Sequence, residues 1–129
     1  YFYCALRSVK APGGDYAVDN RPRPHDGADR SGDHVRLLLD LDRDYATSFE
    51  LVVDCRGWTS DAVWGNARWN PQWFVAHHDS AEAWQIELAV PLSELTHIPP
   101  LAGDAWAIAV SRQAEAEQRQ GAFHLLLFH

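Results

Sequence analysis

Apolar and polar positions alternate with period two along most of the chain, the pattern of strands buried on one face. Val35, Leu37, Leu39 and Leu41 alternate with Arg36, Leu38, Asp40 and Asp42. Phe49, Leu51, Val53 and Cys55 alternate with Glu50, Val52, Asp54 and Arg56. Trp84, Ile86, Leu88 and Val90 are separated by Gln85, Glu87 and Ala89, and Trp106, Ile108 and Val110 by Ala107 and Ala109. Further strands are expected at 1–8, 74–79 and 122–128. Only 91–96 reads as a helical turn, with Pro91 at its start and Leu92 and Leu95 three apart. Turn residues separate the strands at 42–45, 65–72, 79–81 and 99–104. Residues 10–32 are rich in Pro, Gly, Asp and Arg and carry no periodicity, so a long loop is expected there. This pattern predicts an all-β fold, an antiparallel β-sandwich of the jelly-roll type.

Composition narrows the picture. A chain of 129 residues suits a single domain over 1–129, and 47% hydrophobic residues suffice for a core. Eighteen acidic residues against 11 basic ones give a net charge of −7, which argues against a nucleic-acid partner. No apolar run reaches the length of a membrane span. The absence of Met and an opening at Tyr1-Phe2-Tyr3 that already reads as mid-strand suggest an excerpt of a longer chain, lacking its first strands. Cys4 and Cys55 both fall in phase with apolar neighbours, so buried free thiols are expected rather than a bridge.

Candidate chemistry concentrates in 57–74. Four of the six Trp, namely Trp58, Trp64, Trp69 and Trp73, fall within this segment, interleaved with Gly, Asn, Pro and Arg. Flat indole faces beside hydrogen-bonding side chains suit a sugar ring, whose C–H face stacks and whose hydroxyls take directional bonds. Trp73 runs straight into a strand and is assigned to packing, as are Trp84 and Trp106. A stacking set of Trp58, Trp64 and Trp69 remains, with Asp61, Asn66, Arg68 and Asn70 as hydrogen-bonding partners.

A second feature is acidic. Asp40, Asp42 and Asp44 alternate at a strand end and could converge on Ca²⁺, although Tyr45 stands where an EF-hand needs Gly. Such a cluster equally serves as a turn whose carboxylates bond local amides. The seven His show no metal-ligand spacing, since His77 and His78 point to opposite faces of one strand. No nucleophile elbow, phosphate loop or zinc-protease motif is present. Glu50, Glu87 and Glu94 offer no spacing that would pair them for glycoside hydrolysis.

Four stretches together resemble a known family. They are Asp33-His34-Val35-Arg36-Leu37-Leu38-Leu39-Asp40 with Asp42, the turn Trp69-Asn70-Pro71-Gln72-Trp73, the run Trp84 to Leu95, and Gly103-Asp104-Ala105-Trp106 leading to Arg112. In order and spacing they are similar to the carbohydrate-binding module family 9-like domains, within the DOMON-like group of β-sandwiches. The resemblance covers most of the chain except 10–32. It implies a jelly-roll domain of a secreted or cell-surface protein, often joined to a glycan-degrading enzyme, that binds sugar between aromatic side chains and carries structural calcium. Relatives in the wider group bind haem. Trp84, Pro91, Trp106 and Arg112 transfer as structural residues, whereas Arg36 stands where the family usually has an acidic residue.

The expected function is therefore a non-catalytic carbohydrate-binding module in an extracytoplasmic setting, with neighbouring domains of a longer chain as partners. Two alternatives come from other classes. One is a structural or docking domain that packs its Trp-rich hairpin on a neighbour. The other is a haem domain, for which the lack of Met leaves only His or Lys10 as axial ligands.

Overall fold

The computed structural model describes residues 1–114, 117–119 and 123–127. Its strands are β1 (Phe2–Val9), β2 (His34–Asp40), β3 (Phe49–Asp54), β4 (Thr59–Val63), β5 (Phe74–Asp79), β6 (Ala83–Val90), β7 (Ala105–Ala114), β8 (Glu117–Arg119) and β9 (Phe123–Leu127). Among the described residues a single short helix, α1 (Leu92–Leu95), follows β6, with Pro91 at its N-cap. One sheet has three strands in the order β1-β6-β5. The other runs β4-β3-β2-β7, and β8 and β9 both pair with the far side of β7. Every pairing is antiparallel.

The two sheets bury one common core. Phe2, Trp84, Ile86, Leu88 and Val90 come from the smaller sheet, and Val35, Leu37, Leu39, Leu51, Val53, Trp106 and Ile108 from the larger. Each set occupies alternate positions of its strands, so the period-two pattern is the burial pattern. The expected all-β antiparallel sandwich is what forms. Its strands divide three against six, and the jelly-roll description is not established by this order. Strands β4 and β8 were not expected from the sequence. Strand β4 reads Thr-Ser-Asp-Ala-Val, and a polar edge strand leaves little hydrophobic signal.

Residues 10–32 contain no regular strand, yet they are built into the fold. The Ala28 amide donates to the Thr59 carbonyl at 3.3 Å, and the Asp61 amide donates to Asp26 Oδ1 at 3.2 Å. The loop thereby covers the outer edge of β4, which would otherwise offer free backbone groups to another strand. At the opposite side Lys10 pairs with Asp79 at 2.8 Å.

One carboxylate ties these parts together. Asp33, 2% exposed, accepts from Tyr16 Oη at 2.7 Å, Trp84 Nε1 at 3.1 Å, and Arg112 Nε and Nη2 at 2.8 and 2.5 Å. Arg112 Nη2 also donates to the Val9 carbonyl at 2.6 Å. Loop, β1, β6 and β7 thus meet at Asp33. Trp84 and Arg112 are structural residues through this clasp.

Both cysteines are half-buried against the core rather than fully buried, and they stand as free thiols. Burial pushes both thiols up, Cys55 to about 11 with help from the Asp54 and Asp33 charges, so neither is a ready nucleophile at neutral pH.

Candidate functional site

The Trp-rich segment does not form one platform. Trp58 is 9% exposed, and guanidinium carbons sit over its ring at 3.9 Å from Arg56 and 5.5 Å from Arg21. Its faces are occupied by cation–π contacts, so Trp58 leaves the stacking set. The preceding turn explains why. Asp54 Oδ1 takes the amides of Arg56 and Trp58, and Gly57 adopts φ +80 where a Cβ would strike His77. Trp69 is half-buried against the core, its ring 4.8 Å from Phe49. Trp64 differs. It is 72% exposed at the tip of a two-residue hairpin, with φ +53 followed by Gly65 at φ +73. That pair of left-handed residues is the type I′ geometry that closes the Val63–Asn66 bridge. Asn66, Arg68 and Asn70, which follow it in the chain, are exposed. Trp58 and Trp64 flank opposite ends of β4, about 20 Å apart at the rise of a strand.

The exposed aromatics that do share a face lie elsewhere. On the outer side of the three-stranded sheet, register places Tyr3 opposite Ala89 and Ala89 opposite Phe74. Tyr3 is 71% and Phe74 57% exposed, and Tyr1 stacks on Tyr3 at 5.7 Å. The two rings stand one strand apart on either side of a small residue, roughly 10 Å across. The next row is Ala5, Glu87 and Ala76, and the row beyond it is Arg7, Gln85 and His78. Two alanines flanking one carboxylate make a trough of about 340 Å³, lined on its polar side by Arg7, His78 and Gln85, and the aromatic row is the next row of the sheet. The side chains of Arg7, His78, Gln85 and Glu87 have no hydrogen-bond or ion-pair partner among the described residues. The sequence signal for this face was present as the polar half of β1, β5 and β6. Only the register shows that the aromatic members line up.

Phe74 also lines a second cleft of about 420 Å³, formed by Arg23, Pro24 and His25, by Thr59 and Asp61 of β4, and by the run from Asn70 to Trp73. Asp61, one of the expected hydrogen-bonding residues, is here, together with Asn70. Register opposite Leu51 turns Asp61 toward the core side at the sheet edge, where it is 5% exposed. Trp73 Nε1 donates to its Oδ2 at 3.0 Å, and Oδ1 has no partner among the described residues. Burial pushes the Asp61 carboxyl above its ordinary value. The Trp73 hydrogen bond offsets part of this, while the nearby Asp26 charge adds to it.

Asp40, Asp42 and Asp44 do converge, each offering a ligand atom within 4.8 Å of the others. Hard carboxylate oxygens suit Ca²⁺. They also organise the turn themselves. Asp40 accepts the amides of Arg43 and Tyr45, whose φ angles are +60 and +58, and Asp44 accepts those of Ala46 and Thr47.

Among the candidate glutamates, Glu50 is tied to Arg30 and Arg36, so Arg36 has an acidic partner on β3. His34 opens β2 and is buried, its Nδ1 2.9 Å from the Gly32 carbonyl. Trp73 packs against the core as expected, and its indole N–H reaches Asp61. Among the described residues no helix is long and apolar enough to cross a membrane. Comparison with known proteins brings no relative to bear: no family model, curated protein or solved structure matches the chain.

Proposed function

We propose that this domain binds carbohydrate without acting on it, and that the glycan lies across the outer face of the three-stranded sheet. The observation that carries this reading is the row Tyr3–Ala89–Phe74 beside the Ala5–Glu87–Ala76 trough. A pyranose presents C–H bonds on its faces and hydroxyls around its rim. The aromatic row answers the first, and Arg7, Gln85, Glu87 and His78 answer the second with both donors and acceptors. Stacking on an exposed aromatic is worth at most about 1–3 kcal/mol per ring by analogy with base stacking. Two rings less the ordering cost place affinity in the micromolar range or weaker. The motif resemblance supports the same class of ligand and an extracytoplasmic setting.

The test is calorimetric or NMR titration with a panel of neutral oligosaccharides. Binding to at least one, lost about tenfold in Tyr3→Ala and in Phe74→Ala with folding intact, supports the reading. No binding across the panel overturns it. The same open aromatic face favours one second reading, docking on a neighbouring domain, which such a negative panel would leave in place.

A further inference from the structure

We propose that the cleft beside Phe74 reads a protonated amino group on the glycan, the ammonium donating to Asp61 Oδ1. This inference rests on the glycan reading above and names the sugar class it serves. Phe74 belongs both to the aromatic row and to the cleft lining, so a chain stacked on the sheet face reaches the cleft without a break.

Asp61 carries the argument. It is 5% exposed and borders the cleft, one oxygen is held by the Trp73 indole, and the other has no donor among the described residues. A buried carboxylate with half its bonds unmade is expensive unless an opposite charge reaches it. A hydroxyl would supply a bond but leave the charge. An ammonium supplies both, and the aromatic side chains of Trp73 and Phe74 suit a cation better than they suit water. The other charged groups on the lining are Arg23 and His25. Both are exposed, and His25 faces Asp26 at 3.2 Å; its charge acts on Asp61 from a distance, lowering the carboxyl's value, but no hydrogen bond or ion pair joins either side chain to Asp61. Asp26 adds a second carboxylate next to the Asp61 amide.

The experiment compares glucosamine oligomers with their N-acetylated and plain glucose counterparts at physiological salt, on the wild type, Asp61→Asn and Glu82→Gln. Glu82 is exposed and sits beyond the far end of β5, so its variant removes one charge away from the cleft. Expected are at least tenfold tighter binding of the deacetylated oligomers, loss of that preference in Asp61→Asn, and its retention in Glu82→Gln. Equal binding of all three series overturns the proposal but leaves the sheet-face reading. A preference that survives in Asp61→Asn, or falls equally in Glu82→Gln, also overturns it, as bulk electrostatic attraction. Binding of glucosamine monomer with no oligomer binding sustains the cleft and removes the sheet face. No binding of any probe overturns both.

Discussion

Replacing Asp33 by Ala removes the acceptor at which the two sheets and the long loop meet. Four donor atoms lose their partner: Tyr16 Oη, Trp84 Nε1, and Arg112 Nε and Nη2. Trp84 is fully buried, so its indole N–H has no water to turn to. The Arg112 side chain is 27% exposed and keeps the Val9 carbonyl, which limits the loss there. Bonds to a charged group are worth roughly 1.5–3 kcal/mol each, but they share one carboxylate and do not add. Breaking a buried pair by deleting one partner costs about 3–5 kcal/mol, and that is the expected loss. With an unfolding entropy of about 2.1 cal/mol/K per residue over this length, the melting temperature falls by roughly 10–20 °C. Urea unfolding followed by circular dichroism measures the difference directly. A loss under about 1 kcal/mol, or one no larger than that of Tyr16→Phe, would refute the clasp. The pH dependence supplies a second check. Burial alone pushes the Asp33 carboxyl up, but the hydrogen bonds from Arg112, Tyr16 and Trp84 and the Arg112 charge outweigh it and hold the carboxyl below its ordinary value. A lowered folded value means that this stability is present at neutral pH and is lost as pH falls through the folded value. The acid branch of the stability curve should therefore flatten in Asp33→Ala.

Trp58→Ala should cost about 3–5 kcal/mol in urea unfolding, because a buried indole and its two guanidinium contacts go, while sugar titrations of the folded fraction stay unchanged. Trp64→Ala, at an exposed turn tip, should change stability by no more than about 0.5 kcal/mol in the same assay. Asp61→Asn is expected to raise stability at neutral pH by up to about 1 kcal/mol. The sign follows from a raised folded pKa: the charged carboxylate is disfavoured in the fold, so wild-type stability declines as pH rises from the ordinary value through the raised one, and the amide escapes that decline. Thermal scans from pH 4 to 7 on both proteins check it, and a destabilised variant at pH 7 would contradict it. If the Asp40–Asp42–Asp44 turn holds Ca²⁺, a hundredfold excess over Kd adds about 2.7 kcal/mol of stability, read as a rise in melting temperature that Asp42→Asn abolishes; an unchanged melting temperature rules the site out.

Much of the architecture follows from local alternation alone. The strands at Val35, Leu51, Trp84 and Trp106, the helical turn after Pro91 and the unpatterned stretch at 10–32 could all be placed before any coordinates. Burial of every second side chain needs only a strand with one face on a core. The same reasoning assigned Trp84 and Trp106 to that core and recognised that Asp40 and its neighbours can cap a turn. It missed β4, since an edge strand covered by a loop needs few apolar residues. It also misplaced the aromatic surface. Whether an indole is open depends on what lies over it, and Trp58 is covered by Arg56 nearby and Arg21 far upstream. Periodicity tells which side of its own strand a residue occupies, but it says nothing of register between strands. Tyr3, Ala89 and Phe74 become one row only when β1 and β5 pair on either side of β6. The unpaired oxygen of Asp61 arises the same way, from a sheet edge closed by a loop and by Trp73. The sequence by itself determined the strands and their buried faces. Tertiary pairing decided which polar faces meet, and with them where this protein can hold a ligand.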